Sequence, residues 1–159
     1  MQSTGVTESR TCRAPKLSKF LSPVLRWPCG LLGFALGGFF DGILLHQILQ
    51  WQHLLSNVEA ANDMRLQILD NGLFQALMYV FAAIALGALW KRRNALGDFG
   101  AGRFLWGNAM LGFGLWHLVD SVLSHGILGI HRTKIDSPNP LIWNLLWFVG
   151  FGVLPAAIG

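Results

Sequence analysis

The sequence predicts an all-α integral membrane protein, a four-helix bundle built from two tandem transmembrane hairpins. Three observations predict it. Four apolar runs are each near the ~20 residues that cross ~30 Å of hydrocarbon as a helix. Lysines and arginines concentrate in two of the segments between and before those runs. An internal repeat carries polar residues along with apolar ones. Composition agrees, with 53% of the 159 residues hydrophobic and 13% charged, where an average soluble domain has about 25% charged. The runs are too long, and alternate too little, for barrel strands.

Residues 1–26 form a polar basic tail, with Arg10, Arg13, Lys16, Lys19 and Arg26 against Glu8. It is too long and too little apolar for a secretory signal, and is expected to be flexible as far as Pro23 and Pro28. Residues 27–90 form the first hairpin. Its first run spans about Leu31–Leu55 and contains Asp41, His46 and His53; its second spans about Gly72–Trp90 and is free of charge. Residues 91–103 are a basic loop with Lys91, Arg92, Arg93 and Arg103. Residues 104–159 form the second hairpin. Its first run, about Phe104–Ile130, carries His117, Asp120 and His125; its second begins at Leu141, after a proline at a permitted first-turn position, and stops at Gly159.

The basic residues set the expected orientation. The loop at 56–70 has Arg65 beside Glu59, Asp63 and Asp70, and the loop at 131–140 has Arg132 and Lys134 beside Asp136. The positive-inside rule puts both termini and the 91–103 loop in the cytoplasm and the other two loops outside. The expected location is the bacterial inner membrane, multi-pass. The net charge of +4 thus reads as a topology signal, and no nucleic-acid partner is expected. Trp27, Trp51, Trp90 and Trp106 stand near the run boundaries and read as interfacial anchors. Gly33, Gly37, Gly38, Gly112 and Gly114 read as close-packing positions, Gly33 and Gly37 with the GxxxG spacing. Cys12 and Cys29 make neither a metal motif nor a disulfide framework.

The repeat has an offset of 79 residues, as from Gly33 to Gly112. At that offset Phe34 meets Phe113, Leu36 meets Leu115, Asp41 meets Asp120, Leu44 meets Leu123 and His46 meets His125. A further histidine follows each copy, His53 and His131, displaced by one place. Chance rarely aligns an aspartate and a histidine inside two apolar runs. The first helix of each copy would run outward, making a parallel repeat with its axis along the membrane normal.

All five histidines lie in or just beyond the first and third runs, where an ionisable residue is costly and reads as functional. On an ideal helix His46, Gln50 and His53 share one face, and His117, Ser121, Ser124 and His125 another. Five steps of ~100° put Asp41 ~140° round from His46, and Asp120 ~140° round from His125. Three readings stand. In the first, His46 and His125, equivalent by the repeat, join His53 or His131 near the outward side. They hold copper, zinc or iron, or bind a b-type haem axially. Asp41 and Asp120, about 7–8 Å deeper, then orient ligands or handle protons before serving as ligands themselves, and His117 is structural. In the second, the Asp and His groups form a buried hydrogen-bond network worth about 0.6–2 kcal/mol per bond. In the third they relay protons or line a solute path. No nucleophile–base set or phosphate loop is visible, so hydrolase and kinase activity are not expected; a metal-dependent oxidoreductase is the enzyme class left open.

The segments Gly37-Gly-Phe-Phe-Asp41-Gly-Ile-Leu-Leu-His46 through His53, Leu115-Trp-His117-Leu-Val-Asp120 through His125, and Asn139-Pro-Leu-Ile-Trp143-Asn144 resemble the bacterial membrane-protein family classed as domain of unknown function 2243. The resemblance covers roughly residues 27–150. It implies a small multi-span protein in the lipid bilayer, with no established activity, and respiratory-oxidase or copper-handling membrane proteins as partners.

Overall fold

The computed structural model describes residues 21–49, 64–97, 100–123 and 139–159, and every regular element among them is helical. In chain order these are α1 (Leu21–Asp41), a π-helical extension (Gly42–Ile48), α2 (Met64–Lys91), a 3₁₀ turn (Arg93–Gly97) and α3 (Ala101–Asp120). The last helical rod is α4 (Pro140–Trp147), a π segment (Phe148–Val153) and α5 (Leu154–Ile158).

Three of the described helices are long and apolar enough to cross a membrane: Val24–Ile48, Arg65–Lys91 and Leu141–Ile158. The third run of the sequence, now α3, is not among them. Arg103, Asn108, His117 and Asp120 lower its hydropathy although the helix is 20 residues long. α1 and α3 nevertheless lie at the centre. α1 packs chiefly on α3 and then on α2, while α3 packs on the α5 rod. Half of the α1 membrane window is buried inside the protein, against 17% for α2, so α2 presents most of its surface to the surroundings.

The boundaries differ from the sequence reading where hydropathy is a poor guide. α1 starts at Leu21, not near Leu31, and takes in both prolines that were expected to bound the tail. Pro23 lies in the first turn, where its missing N–H deprives no partner. Pro28 is inside the helix and fully buried, tolerated because neighbouring helices brace the freed backbone. α2 starts at Met64, so Arg65 to Asp70 extend the helix as polar turns beyond the apolar run. Gly100 has φ 87°, a left-handed backbone that glycine adopts without strain, and turns the chain into α3.

The starts of α1 and α3 and the end of α2 form one basic end. Leu25, Cys29, Leu89 and Ala95 make a buried cluster there, with Phe104 and Leu105 against it. Arg92 stacks over Trp27 at 5.5 Å and Arg93 over Trp90 at 5.2 Å. Trp27, Trp90 and Trp106 are all exposed, as boundary anchors are.

Candidate functional site

The site is positioned by the contact between α1 and α3, which run in the same direction. Glycine makes the contact close. A side chain at Gly33 would strike the Ala109 carbonyl, and one at Gly112 would strike the Gly30 carbonyl. A Cβ at Gly37 would stand 2.9 Å from Trp116 Cβ and 3.0 Å from the Phe113 carbonyl oxygen. These contacts exchange under the 79-residue shift: Gly33 maps to Gly112, and Ala109 maps back to Gly30. Gly37 against Phe113 is mirrored by Phe34 against Trp116, whose rings meet at 5.1 Å.

One turn beyond Gly37 and Trp116, the same geometry brings Asp41 and Asp120 within electrostatic range of each other. Asp41 is 2% exposed and Asp120 7%. The Trp116 indole faces the Asp41 carboxyl but falls short of full hydrogen-bond geometry. Asp41 Oδ1 has no hydrogen-bond partner among the described residues, nor has Ser121 Oγ, directly after Asp120. The described lysines and arginines sit at helix ends, Arg26 and Arg103 near the starts of α1 and α3, Arg65 and Lys91–Arg93 at the two ends of α2.

His117 is fully buried, one turn before Asp120 and within its electrostatic reach. Its Nδ1 lies 3.0 Å from the Phe113 carbonyl oxygen. A carbonyl only accepts, so Nδ1 carries the proton, and in the neutral ring Nε2 is left with a lone pair. Nε2 is buried without a partner among the described residues. Around the ring stand Phe113 at 4.6 Å, Trp147 at 5.6 Å, Phe151 at 5.9 Å and Phe40 at 6.0 Å. Trp147 also buries an indole N–H without a partner among the described residues. The orientation of this imidazole, one nitrogen fixed by a backbone carbonyl and the other bare, is that of histidines that bind metals or exchange protons. Sequence reading left His117 as structural. The i−4 carbonyl is a local signal available to any helical histidine. The aromatic ring around it comes from α1 and the last rod, far away in the chain.

His46 is 3% exposed and lies in the π segment that follows Asp41. This corrects the expected ~140° separation. α-Helical winding stops at Asp41, and i→i+5 bonding, seen in Leu49 N–H donating to the Leu44 carbonyl at 2.8 Å, brings residues five apart nearly over one another. Asp41 and His46 therefore share the buried face with Gly42 and Leu45. α2 closes this face, with Phe74 6.3 Å from the His46 ring and 5.3 Å from Trp116, and Gln75 against Gly42. α3 also passes into π winding directly after Asp120, over residues 121–123.

His53, His125 and His131 lie outside the described residues, so the expected outward convergence of histidines has His46 alone inside them. Among the described residues no three His, Cys, Asp or Glu side chains are gathered closely enough to hold a metal ion. The structure brings together Asp41, Asp120 and His117, with His46 on the same face beyond them. Trp116, Phe74 and Gln75 are site residues that sequence reading missed.

No curated protein and no solved structure matches the chain. The profile of a family described as predicted membrane protein, DUF2243, matches residues 28–159. That match takes in the α1–α3 contact, both aspartates and the aromatic surround of His117, and the chain belongs to the DUF2243 family of membrane proteins.

Proposed function

We propose that the chain is a four-span protein of the bacterial inner membrane, made of two tandem hairpins. Its functional centre is a proton-carrying carboxyl pair, Asp41 and Asp120, between α1 and α3. The exchange of α1–α3 contacts under the repeat supports the tandem arrangement, with α3 as a fourth span shielded by its neighbours. The gathering of Arg26, Lys91, Arg92, Arg93 and Arg103 at one end supports cytoplasmic termini.

One observation carries the functional reading: two buried carboxyls, Asp41 and Asp120, come within electrostatic range of each other across the α1–α3 contact. In a low-dielectric interior, like charges at close range are not both maintained. The pair takes up a proton or another cation, and the imidazoles of His117 and His46 extend it with further groups that can donate or accept a hydrogen bond. Such a centre suits a membrane module that passes protons within, or to, a respiratory-oxidase or metal-handling partner. The test is infrared difference spectroscopy of the protein in bilayers. A protonated-carboxyl C=O band should disappear in both Asp41→Asn and Asp120→Asn. A band absent from the unaltered protein, or surviving in both variants, rejects the reading.

A second reading rests on the bare Nε2 of His117. With an Asp41 or Asp120 oxygen it offers mixed nitrogen and oxygen donors suited to zinc, iron or copper. His46, His53, His125 and His131 are then further candidate ligands, or His46 and His125 an axial pair for b-type haem. A metal-dependent oxidoreductase belongs with this reading. Elemental analysis and an absorption spectrum of the purified protein separate the two. Stoichiometric metal lost in His117→Ala, or a Soret band lost in His46→Ala/His125→Ala, favours this reading over the proton pair.

A further inference from the structure

The basic end carries a second feature that the carboxyl pair does not use. A groove of about 640 Å³ runs along the α1–α3 contact, walled by Trp27, Gly30, Phe34, Leu111 and Leu115. It opens at Arg26, Asn108 and Leu111 into a polar recess of about 420 Å³ that also includes Arg103 and Gly107. Among the described residues no aspartate or glutamate side chain lines either space. Gly30 and Gly112 leave the floor without side chains, and at Gly112 the close helix contact requires glycine, because a Cβ there would strike the Gly30 carbonyl. Trp27 is held as a wall by the Arg92 guanidinium, whose own N–H donates to the Ala88 carbonyl at 2.9 Å.

We infer that this groove is a binding site for one anionic phospholipid, its phosphate at Arg26 and Arg103 and an acyl chain along Phe34, Leu111 and Leu115. Two arguments select that occupant. Charge complementarity is one: the recess offers two guanidiniums and the Asn108 side chain, with no acidic side chain among the described residues. Depth is the other. On α3 the lining runs from Asn108 to Leu118, a rise of about 15 Å, or half of a ~30 Å hydrocarbon core. That is the reach of one acyl chain in one leaflet, with the arginines at the level of its headgroup. Basic pockets between helices at a membrane face are where anionic headgroups are recognised. A second copy of this chain would need an apolar surface without charge at that level, which Arg26 and Arg103 oppose.

The experiment is native mass spectrometry of the full chain released from nanodiscs of equal phosphatidylglycerol and phosphatidylcholine. One phosphatidylglycerol per chain should be retained in preference to phosphatidylcholine. Arg26→Gln and Arg103→Gln should each reduce that preference about fivefold. Leu115→Trp, which fills the apolar part and leaves the arginines alone, should reduce retention of both lipids. Equal retention of the two lipids by the unaltered chain would overturn the inference, as would a preference unchanged in the Arg26→Gln/Arg103→Gln double variant. A lipid-free dimer that Leu115→Trp dissociates would also overturn it, and would make the groove an interface between copies.

Discussion

α1 and α3 occupy equivalent places at the centre of the protein, yet they differ where they meet. α1 has Gly37 and Gly38 where α3 has Trp116 and His117. The Trp116 side chain lies against Gly37, its own counterpart under the 79-residue shift. Two tryptophans there would collide and two glycines would leave a void, so large against small is the close-packed solution. Gly38 is filled from another direction, by Met78 of α2. One turn on, the two helices carry the same residue, and Asp41 faces Asp120. Packing explains the divergence at 37 and 116. It gives no reason to bring two carboxyls into electrostatic range, which is why the proposed function centres on the aspartates and treats the glycine–tryptophan step as packing.

The largest test of this comparison is Trp116→Ala. It empties the space beside Gly37; an aromatic-to-alanine change in a core costs about 3–5 kcal/mol, and at the half-buried Trp116 the loss should fall towards the lower end of that range. Thermal unfolding in detergent should show this loss. Exchanging the pair, Gly37→Trp with Trp116→Gly, should recover part of it, with a coupling of about 0.5–3 kcal/mol over the single changes. Strict additivity would break the large-against-small account.

Gly33→Ala and Gly112→Ala come next. Each drives a Cβ into a backbone carbonyl, and overpacking of this kind costs about 1–3 kcal/mol. Because the two contacts exchange under the shift, the two losses should be similar. Values differing by more than the cost of one of them would show that the α1–α3 contact is not two-fold.

Asp41→Asn and Asp120→Asn should differ from the glycine changes. Asparagine has nearly the shape of a protonated aspartic acid and can still donate a hydrogen bond, so stability should hold to within about 1 kcal/mol. A loss of more than that in both variants would identify the pair as structural glue. The smallest effect is expected at the basic end. Arg92→Ala removes the cation over Trp27, worth about 0.5–1 kcal/mol at an exposed site, and should leave the infrared signature of the aspartates unchanged.

The helical class, the span of α2 and the close packing at Gly33 and Gly112 were legible in the sequence, because apolar length and missing side chains act locally. The start of α1 was not, since Pro23 and Pro28 read as boundaries until the first turn and the bracing neighbours are known. α3 reads as an apolar run by eye but fails as a span by hydropathy. Its polar residues Asn108, His117 and Asp120 are buried against other helices, and hydropathy averages cannot tell which face a residue occupies. The two aspartates were found by the repeat but ranked behind the histidines, because on straight α-helices they lie about 7–8 Å deeper than His46 and His125. The aromatic surround of His117 was invisible, being assembled from Phe40, Trp147 and Phe151 by tertiary packing.

The change of winding at Asp41 has a mechanical consequence. A wide turn holds one more residue per hydrogen-bonded ring than a narrow one. Rewound as an ordinary α-helix, the seven residues Gly42–Ile48 would turn His46 by roughly a quarter of a turn away from the face it shares with Asp41. The wide winding is therefore what sets the imidazole and the carboxyl on one side of the same rod.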